Sequence, residues 1–114
     1  MPHFIIDCSE NIISLKSPFE IMQKVYDTAE STQLFDEGDI KVRINPYQHY
    51  NIGNTQNDFI HIFANIMEGR TRDQKARLSK AIVTELKSMF PKVPIISMNI
   101  RDFEKATYCN KEMV

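Results

Sequence analysis

Three stretches of the chain set apolar residues against a second face in alternation, a fourth is a short apolar run, and two longer stretches repeat their apolar residues at helical spacing. His3 to Cys8 (HFIIDC) is short, apolar and β-branched at its centre, and reads as a strand. In Asp39 to Tyr47, Ile40, Val42 and Ile44 point one way and Lys41, Arg43 and Asn45 the other; Pro46 closes this second strand. Phe59 to Met67 is the third strand. It sets Ile60, Ile62, Ala64 and Ile66 against Phe59, His61, Phe63 and Asn65. Pro94 to Phe103 is the fourth, with Ile96, Met98 and Ile100 on one face and Ser97, Asn99 and Arg101 on the other.

The helices announce themselves by their caps. Ser17-Pro18-Phe19-Glu20 offers an N-cap serine, a proline at the first helical position and a glutamate at the third. The helix it starts runs to about Glu30, with Ile21, Met22, Val25 and Ala29 on one face. After the Gly69-Arg70 turn, Thr71 and Gln74 form a second capping box. That helix runs to about Phe90, burying Leu78, Ile82, Leu86 and Met89 or Phe90, and Pro91 and Pro94 stop it. Asn51 to Asn57 is a polar turn segment containing Gly53, and Glu104 to Val114 is polar with at most a short terminal element.

The order is strand, helix, strand, twice over. In each half the second strand returns parallel to the first, through a crossover that is right-handed by default. The expected fold is α+β: one domain over residues 1–114, with a four-stranded mixed sheet and both helices on one face. The other face carries Lys41, Arg43, His61, Asn99 and Arg101 together with Phe63. So mixed a face predicts an oligomer in which sheets meet, and a chain of this length gains stability by assembling.

Charge and composition remove several classes of function. With 14 basic and 15 acidic residues the net charge is −1, which gives no broad basic field for nucleic acid and no charged tail. No segment approaches ~18 consecutive apolar residues, so no membrane span is expected. Asp7 and Glu10 interrupt the first apolar run, so no secretory pattern is expected and a cytoplasmic location is. Cys8 and Cys109 then read as reduced thiols, Cys8 as a small core residue. The three histidines lack zinc-ligand spacing, and neither a phosphate loop nor a nucleophile elbow is present.

The candidate chemistry lies at the start. The chain opens Met1-Pro2, and an initiator methionine before a small residue is normally removed. Removal leaves a free secondary amine on Pro2, whereas the same nitrogen inside the chain is a non-basic amide. An ordinary α-amino group titrates near ~7.7–8.0. A prolyl amine is intrinsically somewhat more basic, and burial or a nearby cation lowers it toward neutrality. Pro2 can then serve as a general base.

A β-α-β-β-α-β chain of this length beginning Met-Pro resembles the tautomerase superfamily. Pro2-His3-Phe4-Ile5-Ile6-Asp7-Cys8-Ser9-Glu10-Asn11-Ile12 looks like the first strand of the 5-carboxymethyl-2-hydroxymuconate isomerase family. Ile60-His61-Ile62, Gly69-Arg70 and the Glu85-Leu86-Lys87 part of the second helix give weaker support. The resemblance implies a homotrimer whose sheets form a central barrel, with active sites partly built by neighbouring subunits. It implies no metal and no cofactor. The implied reaction moves a proton along an unsaturated dicarboxylate in homoprotocatechuate degradation.

The residues fit that chemistry. Shifting a double bond past a carbonyl needs a base that lifts a proton from carbon and returns it elsewhere. Pro2 is the candidate for both transfers. The dienolate formed on the way needs cations, as do the two carboxylates. The resemblance places one arginine at Arg70 and another near Lys41, where this chain departs by carrying lysine. Arg43, two residues on along the same strand face, is the candidate substitute. A lysine offers a compact charge in place of the bidentate arginine fork, which bears on substrate choice. The chain is also slightly shorter than family members around Asn51 to Asn57, at the expected pocket rim. His3 is expected on the strand face opposite Pro2 in a structural role, and His61 as a satisfied interior residue. Two alternatives stay open: a decarboxylase or hydrolytic dehalogenase of the same superfamily, and a non-catalytic trimeric binding protein on the same scaffold.

Overall fold

The computed structural model describes residues 1–114. In chain order it contains β1 (His3–Ser9), α1 (Ile12–Leu15), α2 (Pro18–Ser31), β2 (Lys41–Tyr47), β3 (Phe59–Met67), α3 (Arg72–Met89) and β4 (Ile95–Phe103). Single 3-10 turns lie at Glu37–Asp39 and Lys111–Met113. The strands form one sheet in the order β2-β1-β3-β4. β1 is parallel to β2 and antiparallel to β3, and β3 is parallel to β4. The expected mixed sheet and its two parallel crossovers are therefore present. α2 lies over β2 and α3 over β4, and the two helices touch each other on one face of the sheet.

Alternation in the strands builds the core between these layers. Phe4, Ile6 and Cys8 from β1 and Ile60, Ile62, Ala64 and Ile66 from β3 are completely buried. They pack with Ile21, Val25 and Ala29 of α2 and Leu78, Ile82 and Leu86 of α3. Both helix starts follow the caps read from the sequence. Ser17 accepts from Glu20 N–H, and Thr71 and Gln74 close a reciprocal capping box. At the far end of β1, the buried Ser9 hydroxyl donates to Asp58 at 2.8 Å and accepts from Phe59 N–H at 3.2 Å.

The differences from expectation are local. β2 begins at Lys41 rather than Asp39, because Asp39 N–H bonds back to Asp36 carbonyl and draws Glu37–Asp39 into a 3-10 turn. Pro46 does not end β2. It pairs with Cys8 on an edge strand, where its missing N–H breaks no inner ladder. β4 begins at Ile95, one residue late. The one-turn α1 was not foreseen; four residues are too few to show a period. Within Asn51 to Asn57, Ile52 and Thr55 exchange backbone bonds across Gly53 (φ 54°) and Asn54 (φ 67°). Positive φ at both central positions is the tight hairpin geometry that glycine and asparagine tolerate. This loop joins the end of β2 to the start of β3. Within one chain it therefore lies at the opposite end of the sheet from Pro2.

Neither cysteine is in a disulfide; burial pushes the Cys8 thiol up to about 12. No helix is long and apolar enough to cross a membrane.

Ile62 is completely buried on an inner strand, facing both helices. Ile62→Ala is expected to cost about 3 kcal/mol, the middle of the range for such truncations, measured as a lowered urea midpoint with unchanged m-value.

Candidate active site

β1 has a neighbour on each side, so the chain's first residues enter the sheet between two strands. Pro2 is fully buried, and its carbonyl accepts from Lys41 N–H at 3.1 Å. It shares the helix-side parity of Phe4, Ile6 and Cys8, while His3 takes the open face with Ile5 and Asp7, as expected. The same register sets Lys41 beside His3 and Arg43 beside Ile5.

Two segments close around this end of the sheet. One is the connection from Thr32 to Ile40. Gln33 takes a left-handed conformation (φ 59°) directly after the α2 cap and turns the chain back. Tyr26 of α2 then pins the connection by donating to Glu37 carbonyl at 2.6 Å. The other is the β3–α3 turn, where Gly69 adopts φ 121°, a conformation side chains forbid. Arg70 follows it. Its Nη2 donates to Leu34 carbonyl at 2.7 Å and its Nη1 to Met67 carbonyl at 3.3 Å. Its Cζ stands 4.9 Å from the centre of the Phe35 ring.

The terminal amine lies between these segments. It is carried by Met1, one residue outward from the Pro2 nitrogen, which is an amide while Met1 is attached. Met1 N lies 3.8 Å from an Asp39 carboxylate oxygen. Burial pushes the amine below its usual 8.0; Asp39 opposes that, Lys41 and Arg70 add to it, and Asp36 opposes it again. Lys41 Nζ donates to Asp39 carbonyl at 2.9 Å. The structure thus brings Lys41 and Arg70 of a single chain to the N-terminus. Arg43 is set apart. Its Nη1 donates to His3 Nδ1 at 3.1 Å. Since arginine can only donate, Nδ1 is unprotonated. Burial, Arg43, Lys41 and the terminal amine all lower the His3 pKa from 6.5, in that order.

His61 lies on the open face and is fully engaged, with Nδ1 2.7 Å from Ser97 Oγ and Nε2 2.6 Å from Asn99 Oδ1. Arg101 covers the Phe63 ring beside it at 5.3 Å. No three His, Cys, Asp or Glu side chains converge as a metal site would require. A groove of about 580 Å³ between α2 and α3, lined partly by Thr28, Gln74, Arg77 and Glu85, includes none of Pro2, Lys41, Arg43 and Arg70. A second, of about 460 Å³, lies between α2 and β2 and reaches Lys41.

Residues 2–113 match the sequence profile of 5-carboxymethyl-2-hydroxymuconate isomerase. The chain belongs to this family. It is an isomerase by that membership, on a tautomerase fold. A 5-carboxymethyl-2-hydroxymuconate Delta-isomerase of Escherichia coli is 26% identical over 92 residues, covering 79% of this chain and 73% of the relative. A 5-carboxymethyl-2-hydroxymuconate isomerase from Deinococcus radiodurans R1 superposes with a TM-score of 0.84 at 22% identity, covering 96% of this chain and 88% of that one. A fused 4-OT wild type asymmetric trimer gives 0.79 at 13% identity, covering 96% and 92%. At such identities the two structures show the fold alone.

For this isomerase, sequence reasoning missed the Leu34 carbonyl, Phe35 and Asp39 around the N-terminus. One signal was available: Leu34-Phe35 is an apolar pair inside the otherwise polar run from Ser31 to Asp39.

The lowered His3 pKa gives a stability test. Between the folded value and 6.5 the unfolded chain binds more protons, so stability falls as pH drops through 6.5 and the loss levels off below the folded value. His3→Gln is expected to flatten that part of the slope, read from urea midpoints at several pH values between neutrality and pH 5.

Proposed function

We propose that the processed chain is a cofactor-independent isomerase that shifts a double bond in an unsaturated, 2-hydroxymuconate-type dicarboxylate, with the Pro2 amine as general base. The observation that carries this reading is a buried Pro2 bonded through its carbonyl to Lys41 N–H, at a terminus where burial, with the charges of Lys41 and Arg70, lowers an amine below its usual 8.0. Once Met1 is gone, the secondary amine starts one residue deeper, at a residue that is itself buried. Its free base takes the 2-hydroxyl proton of the dienol and delivers a proton to a carbon further along the conjugated system, leaving a 2-oxo group and a shifted double bond. Negative charge meanwhile grows on oxygen. Arg70 neutralises that charge, with two of its N–H groups held by backbone carbonyls and its remaining donors left for an anion. Lys41 holds a carboxylate as a point charge. Arg43, one pair further along β2, is a second carboxylate ligand that would have to leave His3 to act.

The same reading extends to assembly. The open sheet face carries Ile5, Phe59, Phe63 and Phe103 among polar side chains already paired, such as His61 with Ser97 and Asn99. It suits burial against the sheets of two further copies, as in the 4-OT trimer, and a neighbouring copy then walls the Pro2 site. Pathway and compartment follow the family: degradation of homoprotocatechuate-type aromatics in the cytoplasm.

The test uses protein whose Met1 removal is confirmed by intact mass, with a 2-hydroxymuconate-type dicarboxylate as substrate. Pro2→Ala, which keeps an amine but makes it primary, is expected to lower kcat about a hundredfold or more with the fold intact. Arg70→Ala is expected to cost about 3 kcal/mol of transition-state stabilisation. kcat/KM is expected to rise with pH through one ionisation below that of a free prolyl peptide, because burial and the two cations favour the neutral amine. A profile falling over the same range would indicate prolinium acting as an acid, the decarboxylase or dehalogenase chemistry. Wild-type turnover by Pro2→Ala would remove Pro2 from the mechanism.

A further inference from the structure

We propose that Phe35 is a positioning residue for Arg70: its ring face, with the Leu34 carbonyl beside it, holds the guanidinium in place for the anionic intermediate. This rests on the role given to Arg70 above. Arg70 Cζ stands 4.9 Å from the ring centre, inside the ~6 Å range in which an aromatic face attracts a cation. Nη2 is tied to Leu34 carbonyl at 2.7 Å, so two adjacent residues hold the guanidinium, one by a hydrogen bond and one by its ring. The grip is rigid because Phe35 is only 9% exposed and meets Phe4 edge-on, at 6.0 Å between ring centres and 79° between planes. Phe4 lies two residues from Pro2 on the same strand face. The contacts from Phe4 to Phe35 to Arg70, joined to Pro2 through the strand backbone, therefore fix the cation relative to the base.

The physical benefit is preorganisation. A free arginine loses side-chain freedom each time it engages an anion, whereas one already stacked and bonded has lost that freedom on folding. The Phe35 ring lies against the guanidinium carbon, and the Leu34 and Met67 carbonyls occupy two of its N–H groups. The remaining in-plane N–H groups then set the direction from which a planar carboxylate or enolate oxygen is met. Gln33, in its left-handed conformation, turns the chain so that the carbonyl of Leu34 and the ring of Phe35 address the same side chain.

The test compares Phe35→Leu, Phe35→Tyr, Arg70→Ala and the double variant Phe35→Leu/Arg70→Ala, all without Met1. Leucine fills the space but has no π face; tyrosine restores it. Phe35→Leu is expected to lower kcat about tenfold, with a smaller change in KM, and Phe35→Tyr to recover most of it. In the Arg70→Ala background Phe35→Leu is expected to have no further effect, whereas a general packing defect would lower both backgrounds alike. The Arg70 Nε–H resonance reports position without activity: the ring current of Phe35 is expected to shift it, and Phe35→Leu to abolish the shift. If Phe35→Leu does not fold, Phe35→Met replaces it. An Arg70 resonance indifferent to Phe35, or equal kcat losses in both backgrounds, would overturn the proposal. Normal turnover by Arg70→Ala with the resonance still dependent on Phe35 would instead overturn the catalytic role of Arg70.

Discussion

The pairing of β1 on both of its edges governs the rest of the molecule. A first strand at the edge of a sheet would leave the chain's end in solvent. Here parallel pairing to β2 and antiparallel pairing to β3 lead the terminus in between the start of β2 and the end of β3. Burial of Pro2, proximity of Lys41 and access to the turn after β3 follow from that register. The lowered basicity of the terminal amine is then a property of the topology, since a terminal nitrogen placed anywhere on the outer surface would keep its water.

Electrostatics at this end of the sheet is a balance of opposed charges rather than a uniform field. Lys41 and Arg70 lower the basicity of the amine, and Asp39 and Asp36 raise it. The chain as a whole carries almost no net charge, so the anion binding proposed for this site would depend on the placement of a few side chains. Fixing donors before the ligand arrives matters more in such a site than adding further charge, because the nearby carboxylates already cancel much of the long-range attraction.

Much of the architecture was legible because each level of the sequence agreed with the next. Alternating Ile60, Ile62, Ala64 and Ile66 marked β3 and its buried face, and Ser17-Pro18 and Thr71-x-x-Gln74 marked the helix starts to the residue. Pattern was silent where a few local bonds decide: one turn of helix at Ile12–Leu15, and the Asp36–Asp39 bond that delays β2. The candidate site was legible only in part. Lys41, Arg43 and Arg70 entered through a strand face and a resemblance, and alternation assigned the face of Lys41 and Arg43 correctly. Alternation carries no register, however, and register is what puts Lys41 at the terminus and Arg43 against His3. Phe35 belongs to no periodic element. Its place beside Arg70 is a tertiary contact across a connection whose direction depends on one left-handed residue.

The position of β1 also has a consequence in time. His3 pairs with Lys41 on one side and with Asn65 on the other, so β1 is synthesised well before its second partner. At roughly 5–20 residues per second the delay is several seconds of synthesis. For that interval Phe4-Ile5-Ile6 is an apolar strand with at least one open edge, the condition in which nascent chains invite chaperones or one another. The strand that follows the proposed base is thus also one that stays incompletely paired until β3 has been made.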